Sequence, residues 1–166
     1  AWIKRMRESM ARLTPRFSAN RTVREYTEQH YLPAASAYRE RAADKGATGL
    51  QLVSWQRALE QGWSNLRFGE IKVVSDEEKH VFEAQVYLNG LDPNSVRVEL
   101  YADGLNGSEP VRQEMKGVGQ LVDANGTIYS TEVSATRPAT DYTVRVIPYR
   151  NDVAIPLEDP RILWQR

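Results

Sequence analysis

The chain has 166 residues, and its 22 Lys and Arg balance 22 Asp and Glu, so the formal net charge is zero. A neutral chain lacks the broad field that draws proteins to nucleic acid or membrane surfaces. There is no cysteine, which excludes disulfides and thiolate metal sites and fits a reducing, cytoplasmic setting.

The chain opens on Ala1-Trp2-Ile3 without methionine, and it is expected to be a piece of something longer. Residues 1–65 carry helical spacing. Ile3, Met6, Met10 and Leu13 form one apolar stripe, and Thr14-Pro15 is expected to end that helix, because the residue before proline is pushed out of the α region. Ser18 suits the N-cap of the next helix, whose apolar face carries Val23, Tyr26 and His30. Leu32-Pro33 should break or kink it. The run Ala34 to Lys45 is rich in good helix formers, with Gly46 suited to the C′ position. Leu52, Trp55 and Leu59 mark a third stripe, which Trp63 extends. No apolar run approaches the roughly 20 residues that a membrane helix needs.

From about Leu66 the period changes to two. Phe82 to Leu88, Val96 to Leu100 and Tyr142 to Val146 each alternate apolar with mostly polar residues, which sets one face of a strand on a core and the other in water. Turn signals separate the runs at Asn89-Gly90, Asp103-Gly104, Asn106-Gly107 and Asn125-Gly126. Strands are expected near 67–74, 81–89, 95–102, 110–116, 127–134 and 142–150, with a short seventh near 118–122 or 161–164. That density of short strands predicts an immunoglobulin-like or fibronectin-III-like β-sandwich. In Arg137 to Val146, Tyr142 is placed to fold its hydroxyl back onto the upstream backbone as a tyrosine corner. The expected division is a helical segment over 1–65 and a β-sandwich over 66–166.

No residue pattern supplies a reaction centre. His30 and His80 lie in different halves without a second ligand or base at metal or triad spacing, and each is read as a partly exposed polar residue. Asp76-Glu77-Glu78 lacks the alternating carboxylates and glycine of a calcium loop and reads as a solvated hairpin turn. Gly117 and Gly119 belong to no phosphate-binding motif and fit a bulge or tight bend. Lys4, Arg5, Arg7, Arg12, Arg16, Arg21 and Arg24 stand against Glu8 alone in the first 24 residues. Without interleaved stacking aromatics they read as a surface that pairs with acidic groups rather than as a nucleic-acid patch. Among the aromatics, Trp55 sits on an apolar stripe and reads as core. Tyr101 and Tyr149 fall on the polar phase of their strands, so they are the candidates for stacking on a sugar ring.

Trp2 to Met10, Leu13 to Arg21, Val23 to Tyr26 and Tyr31 to Ala35 agree in order with the last part of the catalytic domain of bacterial α-glucan phosphorylases. The stretch Leu91 to Tyr101 resembles, more weakly, the tail of the long branch of that family. The resemblance implies a parent glycosyltransferase with a two-lobed GT-B-type fold and a pyridoxal phosphate held by a lysine, which releases glucose 1-phosphate from α-1,4-glucan. The family's cofactor lysine lies in a Gly-Thr-Gly-Asn-Met-Lys loop, and none of Lys4, Lys45, Lys72, Lys79 or Lys116 has that context. No catalytic, cofactor-binding or metal-binding residue is therefore carried over. The expected partners are the rest of the phosphorylase chain, with α-glucan and a second copy as further ones. The alternative is a stand-alone sandwich that binds protein through an edge strand, or carbohydrate.

Overall fold

A computed structural model describes residues 1–105, 107–121 and 126–165. The expected turns at Asn106-Gly107 and Asn125-Gly126 involve Asn106 and Asn125, which lie outside the described residues, as does the end of the 118–122 run. The chain divides into two compact units, Ala1–Val53 and Ser54–Arg166.

The first unit is helical. Helix α1 (Trp2–Arg16) continues through Pro15 to its last residue, so Thr14-Pro15 does not end it. Only Arg16 follows Pro15 in the helix, so the stop comes one residue later than expected. Ser18 caps α2 (Ala19–Tyr26) as expected: its backbone is extended and its Oγ accepts from the Arg21 amide at 3.3 Å. Helix α2 runs directly into a π turn (Thr27–Tyr31) and then α3 (Leu32–Gly62). Pro33 thus does not break the helical path. Its missing N–H leaves an upstream carbonyl without a donor, and the widened turn just before it is where the ladder adjusts. Within α3, Ala43 to Gly46 leave helical geometry, and Asp44, Lys45 and Gly46 are all left-handed, with φ of 51°, 59° and 80°. No residue of α1, α2 or the π turn is buried. Ile3, Met6, Met10, Leu13 and Phe17 all stay exposed.

The second unit opens with the last turns of α3, where Trp55 and Leu59 are buried. Eight strands follow among the described residues: β1 (Arg67–Ser75), β2 (Lys79–Tyr87), β3 (Val96–Ala102), β4 (Val111–Glu114), β5 (Lys116–Gln120), β6 (Gly126–Ser134), β7 (Thr143–Pro148) and β8 (Leu163–Trp164). They form two four-stranded sheets, ordered β1-β2-β6-β5 and β4-β3-β7-β8, with every pairing antiparallel. The architecture is α+β. The core comes from one face of each sheet: Phe82, Ala84 and Val86 from the first, and Val96, Val98, Leu100, Val144 and Val146 from the second.

The expected strand over 110–116 is two strands in different sheets. Met115 is the crossing point. Its amide still donates to the Val98 carbonyl at 2.9 Å and its side chain is buried, while the next residue, Lys116, already pairs with β6. Both candidates for a short strand are present, as β5 and β8. The ladder between β5 and β6 shifts register between Gly117 and Gly119, the bulge their spacing suggested.

Asn89-Gly90 forms a turn with φ of 48° and 96°, closed by the Leu91 amide on the Leu88 carbonyl at 3.1 Å. Two successive positive φ values are what an Asn-Gly pair tolerates best. The turn makes no hairpin, because β2 and β3 belong to different sheets.

Candidate functional site

Register fixes which side chains share a face. Arg97, Glu99 and Tyr101 of β3 stand opposite Ile147, Arg145 and Thr143 of β7, and Trp164 of β8 stands opposite Arg145. These residues lie on the face of the second sheet that points away from the core. Arg145 donates two hydrogen bonds to Glu99 Oε2, from Nε at 3.0 Å and Nη2 at 2.7 Å. Its guanidinium carbon lies 4.4 Å from the Tyr101 ring centre and 5.3 Å from that of Trp164. Both charges are buried, so the pair and the two rings screen each other from water.

The two tyrosines singled out from the sequence therefore have different surroundings. Tyr101 is half-buried, packs edge-on to Trp164 at 5.3 Å and donates its hydroxyl to Asp103 at 2.9 Å. That hydrogen bond favours the protonated phenol and raises its pKa above 10.0. Tyr149 is also half-buried, follows the end of β7, and is fixed by its amide on the Ser95 carbonyl at 2.9 Å. The Arg97 guanidinium carbon lies 3.9 Å from its ring centre, and its hydroxyl donates to Asn151 Oδ1.

Tyr149 lines an open cleft of about 900 Å³. Val96, Val98 and Met115 supply apolar wall, and Tyr129 and Thr127 supply the inner side of β6. Tyr129 stands opposite Ala84 on β2 and Gly117 on β5. Partial burial raises its pKa above 10.0 and keeps its phenol neutral. Around the mouth lie Asn94, Gln120 and Asn151 with two ion pairs. Arg97 Nε sits 3.4 Å from Glu114, and Arg150 bonds Asp152. No hydropathy period marks this set, because Asn94, Gln120 and Asn151 stand at strand ends and in loops.

The remaining candidates have structural partners. His80 is buried, not partly exposed. Its Nδ1 shares a hydrogen bond with Ser75 Oγ at 2.7 Å and its Nε2 with the Arg137 carbonyl at 2.9 Å. The Arg137 carbonyl is thus bound by His80. Among the described residues the Tyr142 hydroxyl makes no hydrogen bond to upstream backbone, so the expected tyrosine corner is replaced by ring packing on Phe82 at 5.7 Å and His80 at 6.5 Å. Asp76 closes the β1–β2 turn by accepting from the Glu78 and Lys79 amides at 2.9 and 2.8 Å. His30 is exposed on the π turn. Among the described residues, no group of three or more His, Asp and Glu is placed to hold a metal ion, and no helix is long and apolar enough to cross a membrane.

All five lysines are exposed, and Lys79 is held protonated by Glu132 at 2.7 Å, which raises its pKa above 10.5. A lysine that forms a Schiff base needs a desolvated amine with a lowered pKa, so these residues do not fit pyridoxal phosphate.

Residues 63–166 match the glycogen phosphorylase C-terminal domain. Over 158 residues the chain is 30% identical to the maltodextrin phosphorylase of Thermococcus litoralis, covering 90% of this chain and 18% of that protein. Over 158 residues it is 28% identical to the glycogen phosphorylases of Mycobacterium tuberculosis and Mycobacterium bovis, covering 89% of this chain and 18% of each. The two-sheet unit and the helices before it thus fall in one class, the C-terminal region of α-glucan phosphorylases. The chain belongs to the glycogen phosphorylase C-terminal domain family. It spans 18% of the length of the curated relatives it matches.

Proposed function

We propose that this chain is the C-terminal, non-catalytic part of a cytoplasmic α-glucan phosphorylase, a glycosyltransferase that uses pyridoxal phosphate and inorganic phosphate to release glucose 1-phosphate from α-1,4-glucan. Residues 1–65 finish its two-lobed catalytic domain, and residues 66–166 are an accessory sandwich. The observation that carries this reading is the contrast between the units. The helices of the first expose Ile3, Met6, Met10, Leu13 and Phe17 together, which is the condition of helices made to pack on further polypeptide. The second buries its own core. Similarity extends over both, across 90% of the chain. The exposed lysines described above agree with a cofactor held elsewhere in the parent.

The strand order supports an immunoglobulin-like sandwich. Strands β1-β2-β6-β5 take the places A-B-E-D, and β3, β7 and β8 take C, F and G, with β4 added beside β3. Such a unit suits bracing of the catalytic lobes, contact between copies, or weak glycan binding. The test is phosphorolysis of maltoheptaose by the product of the whole reading frame that encodes this chain. Release of glucose 1-phosphate by that product, and none by the 166 residues alone, supports the reading. Release by the 166 residues alone overturns it.

A further inference from the structure

We propose that the cleft where the two sheets part, beside Met115, binds a short α-1,4-glucan, with Tyr149 and Tyr129 as its ring surfaces and Asn94, Gln120 and Asn151 as its polar contacts. That the ligand is a neutral oligosaccharide follows from the cleft; the α-1,4 linkage rests on the function proposed above.

Three features set the class of ligand. The cleft, at about 900 Å³, lies within the roughly 300–1,000 Å³ usual for small-ligand sites. Its charges largely cancel: Arg97 faces Glu114 at 3.4 Å and Arg150 bonds Asp152, which leaves Lys116 as the one cation of the lining without an ion-pair partner among the described residues. An anion would have to compete with two carboxylates already in place, whereas a neutral polyol leaves both pairs intact. The three amide side chains each offer donors and an acceptor, which matches hydroxyl groups that both give and take hydrogen bonds.

The aromatic surface is held ready. Tyr149 is tied through its amide to Ser95, its ring packs with Arg97, and its hydroxyl is bonded to Asn151. A ring already fixed loses little further freedom on binding, and a phenol offers an apolar face with a polar rim to a sugar ring. Tyr129 reaches the same cleft from the opposite sheet. Gly117 stands across from it on β5, and even an added Cβ there would come no nearer the Tyr129 ring than 4.0 Å. Tyr101 is not part of this site: Arg145, Trp164 and Asp103 already occupy it.

The test is amide chemical-shift titration of the 166-residue chain with maltoheptaose and, separately, with cellohexaose. Maltoheptaose should shift residues 93–98, 114–120, 127–129 and 149–152, and cellohexaose should not. Tyr149→Ala should weaken binding about tenfold. Asn151→Ala and Gln120→Ala change exposed side chains, keep the fold, and should also weaken it. Tyr101→Ala should leave the affinity unchanged. No response at the cleft, or equal affinity in Asn151→Ala and Gln120→Ala, overturns the site. An equal response to cellohexaose overturns the α-1,4 assignment. Phosphorolysis by the longer chain is read separately, so an active parent with a silent cleft rejects this inference alone, and a binding cleft on an inactive parent rejects the proposed function alone.

Discussion

Arg145 spends two of its donors on a single carboxylate oxygen of Glu99, directly across the β3–β7 ladder, and both side chains are buried. Two charges withdrawn from water are tolerable only as a pair. Arg145→Met should therefore cost about 3 kcal/mol by leaving Glu99 buried with only the Arg97 guanidinium, 4.0 Å away, to offset its charge. The double variant Glu99→Leu with Arg145→Met should recover most of that loss. Urea denaturation of the two variants beside the parent chain checks it; a double variant as unstable as the single one means the pair itself supplies the stability.

Leu59 has no exposed surface, and it lies in the second unit with the sheets. Leu59→Ala should cost about 3 kcal/mol, the usual result of leaving a cavity in a core. A chain that starts at Ser54 should unfold cooperatively, and one that starts at Leu66 should not, because it lacks both Trp55 and Leu59. Calorimetry of the two truncations distinguishes them.

Gly62 ends α3 with no room for a side chain: a Cβ there would lie 2.7 Å from Leu91 Cγ. Gly62→Ala should destabilise by about 1–3 kcal/mol despite alanine's better helix propensity, since overpacking forces neighbours to move. Adding Leu91→Ala should remove the clash, and non-additive denaturation midpoints would show the coupling.

Asp76 has its pKa lowered below 3.8, chiefly by the Lys79 amide and then by the Glu78 amide, both of which bond its carboxylate. A folded-state pKa below the unfolded one gives stability that is present above the unfolded value and disappears as pH falls through the folded value. The contribution should therefore hold near neutrality and fade only below about pH 3.8. Asp76→Asn should flatten that part of the stability–pH curve by lowering stability near neutrality, and leave stability at the acid end nearly unchanged. An unchanged acid limb would contradict the role given to Asp76.

Much of the fold was legible because period and turn chemistry are local. The alternation in Phe82 to Leu88 and Val96 to Leu100, the Ser18 cap and the glycine bulge at 117–119 each reflect forces acting within a few residues. What was not legible depends on distant partners. Met115 divides one apparent strand because pairing passes there from β3 to β6. His80 is buried because Ser75 and the Arg137 carbonyl satisfy both its nitrogens. Tyr101 and Tyr149 fall on the polar phase of the alternation, yet phase alone says nothing of Arg145 and Arg97 packing on their rings. The cleft residues Asn94, Gln120 and Asn151 meet only through topology.

The proposed function requires the apolar stripe of α1 to be covered by polypeptide beyond these 166 residues. It is tested most directly by placing Leu13→Asp in the isolated chain and in the full product of its reading frame, and comparing denaturation midpoints. Leu13 is exposed in the chain alone, so the isolated chain should keep its midpoint, while the longer one should lose about 2–4 kcal/mol as a carboxylate enters an apolar contact. An unchanged midpoint in the longer chain would contradict the account.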